Sequence, residues 1–305
     1  MQFVVSSFVS LVTFVLENGA RRYALMSQIS FKTHRPRYFR VLRTFARNSL
    51  VRAMTFRTNF LLECVTSLSW VSMNLALFVL IYQYTPSIGR ENGWTQYQYF
   101  VFVATTQIIN SLVQAFFMPN AEEFSELVRT GSLDFALLKP IDTQFLVSLA
   151  KIEWSELANF VFAAVVLGYS LLRLGHTPGL VEIVLYPFYI LCGVALLYSL
   201  MIALAATTVW LGRNQTIYEF WFYITNFSRY PLEIYRGTLG TPLQIVFTYI
   251  VPIMVVVNVP ARLLAKPLQG QWPLAAFALL ATAMSLAASR WLFSRALEGY
   301  RSASS

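Results

Sequence analysis

The stretch "NFLLECVTSLSWVSMNLALFVLIYQY" (Asn59–Tyr84) contains a single charged residue, Glu63. A helix of this length, rising about 1.5 Å per residue, exceeds the roughly 30 Å of a bilayer's hydrocarbon core. Comparable apolar runs follow at Tyr97–Met118, Phe145–Leu172, Ile183–Leu211 and Pro273–Leu292, and a further apolar helix begins near Ile217. The whole chain is 57% hydrophobic and only 12% charged, with a mean hydropathy of +0.56. Globular proteins carry about 25% charged residues, so a soluble domain is excluded. A transmembrane barrel needs short segments of alternating polarity, and these runs are unbroken. The fold class is an all-α polytopic membrane protein with six transmembrane helices.

The net charge of +9 is concentrated at one end. Residues 1–57 hold ten Lys/Arg and one acid, Glu17, whereas residues 58–305 hold thirteen of each sign. A basic segment before the first span is what the positive-inside rule requires, so the pI near 9.7 does not point to nucleic acid. Cys64 and Cys192 both lie in apolar runs, and with His34 and His176 they supply neither a disulfide framework nor a zinc ligand set. Residues 1–25 stand as an N-terminal extension, because Met26 opens a second basic start, and residues 26–58 form the basic segment. Within it Arg37, Arg40, Arg43 and Arg47 share one side of a helix and Tyr38, Phe39, Val41, Leu42, Phe45 and Ala46 the other. That pattern predicts a surface helix whose Arg side meets anionic lipid head groups.

Residues 59–305 form one transmembrane domain. With the N-terminus in the cytoplasm, six crossings return the C-terminus there, where Arg290, Arg295 and Arg301 obey the same rule. The stretch Ser228–Gln269 carries Pro231, Pro242, Pro252, Pro260 and Pro267, and its apolar part Leu243–Val259 reads as a re-entrant or interfacial hairpin on the outer side. Trp94, Trp154, Trp210, Trp272 and Trp291 lie near span ends, as an interfacial belt would place them.

Between the second and third spans lies "NAEEFSELVRTGSLDFALLKPID" (Asn120–Asp142), with five acidic and two basic residues. Asn120 and Glu123 have the spacing of a capping box, and Gly131 supplies a left-handed stop. Phe124, Leu127 and Val128 form one apolar face. Beyond Gly131, Ser132 and Asp134 open a second turn in which Phe135 and Leu138 share a face, and Pro140 ends it. Helices this short need a partner. Two readings fit: a loop tucked under the bundle, or a docking element for a soluble protein.

"RTGSLDFALLKP" (Arg129–Pro140) resembles a stretch found in one branch of the bacterial ABC type-2 transporter permeases. "EFWFYITNFSRYPLEIY" (Glu219–Tyr235), "PIMVVVNVPA" (Pro252–Ala261) and the closing "YRSASS" (Tyr300–Ser305) resemble motifs of the same branch in the same order. The likeness runs from about Met26 to Ser305. It implies a half-transporter with a cytoplasmic coupling helix seated in a groove of a separate ATP-binding subunit, and the chain reads as an exporter in a bacterial plasma membrane. Two permease chains, often different ones, complete such a unit. Glu123, Phe124, Leu127, Val128, Arg129, Asp134 and Phe135 would be the docking residues. ATP and Mg would be held by the partner, since no G-x-x-x-x-G-K-[ST] stretch occurs here.

Gln107, Asn110, Ser111 and Gln114 make a polar stripe on the second span, and Glu219, Tyr223 and Asn226 a similar line on the fifth. Each stripe fits interhelical hydrogen bonding or the wall of a substrate path, and the family lines its cavity with these two spans. A secondary transporter would need charges at mid-depth, and a lipid-modifying enzyme a His, Asp or Cys constellation near the interface. The sequence offers neither.

Overall fold

The computed structural model describes residues 37–89, 93–175, 178–211, 215–235, 237–266 and 272–300. The 1–25 extension, Met26 and the closing "RSASS" lie outside them. The described elements are helical, with one isolated β-bridge between Ile88 and Trp94. In chain order the helices are α1 (Tyr38–Thr55), α2 (Arg57–Tyr84), α3 (Gln96–Phe116), α4 (Met118–Thr130), α5 (Leu133–Leu137), α6 (Thr143–Leu149), α7 (Glu156–Arg173), α8 (Leu180–Leu211), α9 (Gln215–Asn226), α10 (Gly240–Ile245), α11 (Ile253–Ala265) and α12 (Trp272–Gly299).

Five stretches are long and apolar enough to cross a membrane: α2, α3 continued by α4, α7, α8 and α12. The expected fifth span corresponds to α9, which has only 12 helical residues before a 3-10 turn at Phe227–Arg229. Its place in the chain still carries it through the bundle. It follows α8, whose Trp210 lies beside Gly299 at the end of α12. It leads to Glu233, which meets Trp94 at the opposite end.

The proline-rich stretch folds as a bent pair. Helix α10 continues through a π turn at Val246–Ile250, breaks at Val251–Pro252 and re-emerges as α11 at 89°. Glu233 before the pair and Lys266 after it are 3.3 Å apart, so the hairpin enters and leaves at one end of the bundle. All of α11 except Arg262 is buried, which shields the broken backbone as the sequence requires. Helix α8 passes it closely at Gly193: a Cβ there would stand 2.9 Å from Val256 Cγ1 and 3.0 Å from the Val256 carbonyl. Only glycine permits that approach.

The third span is not the single helix expected over Phe145–Leu172. Helices α6 and α7 are separated by residues 150–155, where three successive backbone amides leave the helical ladder. Lys151 N–H donates to Asn120 Oδ1 at 2.8 Å, Ile152 N–H to Ser49 Oγ at 3.1 Å and Glu153 N–H to the Ala115 carbonyl at 2.8 Å. The break persists because three different elements satisfy its donors.

Helix α1 turns its apolar side, Phe39 excepted, toward the protein. Tyr38 meets Phe145 edge-on at 4.9 Å, Phe45 packs on the core and Ser49 is buried. Arg40, Arg43 and Arg47 are exposed, beside the exposed Phe39 and Leu50. Of the belt tryptophans expected from the sequence, Trp210, Trp272 and Trp291 are more than half exposed and Trp154 is half-buried, whereas Trp94 is fully buried.

Candidate functional site

The charged segment builds differently from its capping pattern. Helix α4 begins at Met118 with Pro119 in its first turn, so Asn120 lies inside the helix and is no N-cap. Its side chain is buried, and Glu123 pairs with Lys151 Nζ at 2.9 Å instead of closing a capping box. Gly131 does stop the helix, with φ +72° and ψ +2°. Ser132 makes no capping hydrogen bond, and Asp134 sits in the first turn of α5.

The two apolar faces have opposite fates. Phe124 is 1% exposed and packs against Phe293 of α12 with ring centroids 5.4 Å apart. Leu127 and Val128 are partly buried against the same core. Of the two readings, the α4 face takes the tucked one, packed inward against the last helix of the chain. Helix α5 is anchored by buried Leu133 and Ala136, and it presents Phe135 and Leu138 at 73% and 81% exposure. Outside the bilayer, two such uncovered side chains would forgo about 1.5–3 kcal/mol each. Arg129 and Glu126 form an exposed pair nearby, Nε to Oε2 at 2.8 Å.

The α3 stripe separates into two kinds of residue. Ser111 is buried and donates to the Gln107 carbonyl of its own helix at 2.7 Å. Gln114 is exposed, and Gln107 and Asn110 are half-buried. These three lie on the open side of a helix that is otherwise largely enclosed. On α9, Tyr223 is 66% exposed and Asn226 half-buried, whereas Trp221, Ile224 and Thr225 face inward. The Glu219 side chain lies outside the description.

One cluster escaped the sequence reading. At the end opposite α4, Glu233 accepts from the Trp94 indole N–H at 2.9 Å, from Arg262 Nη2 at 2.9 Å and from Lys266 Nζ at 3.3 Å. Lys266 Nζ also stands 4.3 Å from the centre of the Trp94 ring. Burial alone would raise the Glu233 carboxyl, but Arg262, the indole and Lys266 outweigh it and hold the group below its ordinary range. Asn258 completes the junction, its Oδ1 accepting from Leu232 N–H at 3.0 Å. The loop before α3, the turn after α9 and the end of α11 are thereby tied together. The Tyr-Pro and Asn-x-Pro-Ala stretches supply most of this tie.

A match to the ABC-2 family transporter proteins spans residues 68–304, well over half of the chain. The chain belongs to that family. The match runs from the middle of α2 through α12, so it covers both polar stripes, the α4–α5 segment and the Glu233 cluster. Members are the membrane permeases of ABC transporters, and membership implies association with an ATP-binding subunit. Comparison with curated proteins and with solved structures returned no match.

Proposed function

We propose that this permease is one membrane-spanning half of an ATP-driven exporter, completed by a second permease chain and driven by a separate ATP-binding subunit. The observation that carries the reading is the α4–α5 segment: a short, anchored turn with two large apolar side chains in the open, on a chain of this family. The subunit docks on Phe135 and Leu138, with Glu126 and Arg129 at the rim, and it holds the ATP and Mg. Nucleotide binding moves the turn and alternates the accessibility of a path between permease chains. The open polar face of α3 and the outward side of α9 supply the wall of that path. Both chain ends lie in the cytoplasm of a bacterial cell, with the Glu233 cluster on the outer side of the plasma membrane. That orientation is supported by the basic α1 and by the Arg residues of α12.

The test is purification of the tagged chain from its native membrane, with mass spectrometry of what accompanies it and an ATPase assay of the product. An ATP-binding subunit in stoichiometric amount, with vanadate-sensitive hydrolysis, is the expected result. Recovery of the permease without any ATP-binding protein under mild detergent would overturn the docking reading.

A further inference from the structure

Just beyond the docking turn lies a buried polar network that docking by itself does not require. Asp142 Oδ1 accepts from Phe145 N–H at 2.9 Å and so caps α6. Both oxygens of Asp142 also receive the guanidinium of Arg290 on α12, Nη1 to Oδ1 at 3.1 Å and Nη2 to Oδ2 at 2.6 Å. Arg290 Nη1 donates again to Gln144 Oε1 at 2.8 Å. Gln144 Nε2 then donates to the Tyr198 hydroxyl at 3.0 Å, and that hydroxyl lies 2.9 Å from Ser148 Oγ. The hydrogen bonds run without a gap from the end of the docking segment to α12 and to α8.

The chemistry is more demanding than packing needs. The Asp142 and Arg290 side chains are only 5% and 17% exposed. Apolar residues of similar volume often hold such a site as well as a buried ion pair does. What the fork-to-fork pair adds is orientation, because two parallel hydrogen bonds fix an angle as well as a distance. One helical turn further along α12, Phe293 is held by Phe124 of α4. The last span is therefore gripped at its inner end by both sides of the docking segment. Its far half packs with α8 and α11 through Tyr189, Val255, Val259, Leu263, Ala275 and Ala278. A tilt imposed at Arg290 has a continuous packed route to the outer hairpin.

We infer that the Asp142–Arg290 pair is the joint that transmits movement of the docked turn to α12 and, through Gln144 and Tyr198, to α8. This rests on docking of an ATP-binding subunit at Phe135 and Leu138. Arg290 and Asp142 are positioning residues, touching neither nucleotide nor cargo.

The test uses the complex with its ATP-binding subunit in lipid nanodiscs, with Cys64→Ser, Cys192→Ala and a reporter at Gln114→Cys. The readout is the rate of maleimide labelling at position 114, nucleotide-free and after trapping with ATP and vanadate. Trapping should change the rate in the parent by about fivefold or more. Arg290→Gln and Asp142→Asn should retain the subunit and hydrolyse ATP, yet show a trapped-to-free ratio near unity. Asn still caps α6, which keeps Asp142→Asn informative if Arg290→Gln folds poorly. Arg290→Lys, which keeps the charge but not the fork, should fall between. A native ratio in Asp142→Asn with the subunit bound would overturn the joint. Loss of the subunit from that variant would also overturn it, by assigning the pair to holding the turn. A parent chain that retains no ATP-binding subunit would instead sink the docking reading.

Discussion

Asn120 holds Lys151 by both edges of one residue's backbone: its Oδ1 accepts from Lys151 N–H at 2.8 Å and its Nδ2 donates to the Lys151 carbonyl at 2.7 Å. A third bond, from Nδ2 to the Phe116 carbonyl at 2.8 Å, ties the same amide to the end of α3. One side chain thus fastens the α4–α5 segment to the break between α6 and α7. Asn120→Ala should lower the melting temperature in detergent by several degrees, since each buried group left unpaired costs about 1–3 kcal/mol. Asn120→Asp keeps the acceptor and loses the donor, so its melting temperature should lie between. Equal melting of all three proteins would remove the clamp from the account.

The two apolar faces of the α4–α5 segment, read with docking at Phe135 and Leu138, predict opposite phenotypes. Phe135→Asp or Leu138→Asp should leave the melting temperature unchanged and abolish co-purification of the ATP-binding subunit. Phe124→Asp should instead destabilise the permease itself, because a carboxylate would replace a ring packed on Phe293. Should Phe135→Asp destabilise while Phe124→Asp does not, the assignment of faces is inverted.

These contrasts mark what the sequence could and could not convey. Span positions follow from hydropathy, a property of consecutive residues, and most were legible. Gly131 was legible as a stop because a left-handed φ selects glycine locally. Asn120 was not, since Asn-x-x-Glu reads alike whether a helix starts there or runs through. The direction of the Phe124 face depends on Phe293, far along the chain and unmarked by any local pattern. Trp94 read as one of several belt tryptophans, because its acceptor is 139 residues away. The fold was legible where neighbours in sequence decide it, and the site where distant contacts decide it was not.

The Glu233 cluster predicts a pH dependence of stability. The folded carboxyl titrates below its ordinary value of 4.5, so its stabilisation is full above that value. It is lost as the pH falls through the lower folded value. Glu233→Gln should cost about 3–5 kcal/mol at neutral pH, leaving Arg262 and Lys266 side by side without their carboxylate. The melting gap between parent and variant should narrow on acidification below pH 4.5. A gap that stays constant across that range would show that the charge of Glu233 contributes nothing.

Orientation has a direct measurement. Cysteines introduced at Ser87 and the exposed Thr241 should react with an impermeant reagent applied to intact cells, and one at Ser132 only after permeabilisation. The reverse pattern would place the docking turn outside and contradict the charge rule.

The polar stripe of α3 separates a packing role from a path role. Ser111 already bonds its own helix and is buried, so Ser111→Ala should shift stability slightly and leave transport intact. Gln107, Asn110 and Gln114 lie on the open side. If another helix covered them, Asn110→Leu would lower the melting temperature by removing an interhelical bond worth about 0.6–2 kcal/mol. If they line a hydrated path, water is their partner, and a leucine there costs the fold little while changing what the wall can bind. The second outcome is expected for Asn110 and Gln114. The measurement is a melting curve beside compound-stimulated ATPase activity of the complex, across cationic, neutral and anionic amphiphiles. A melting temperature lowered by several degrees, with the compound profile unaltered, would make the stripe a packing surface.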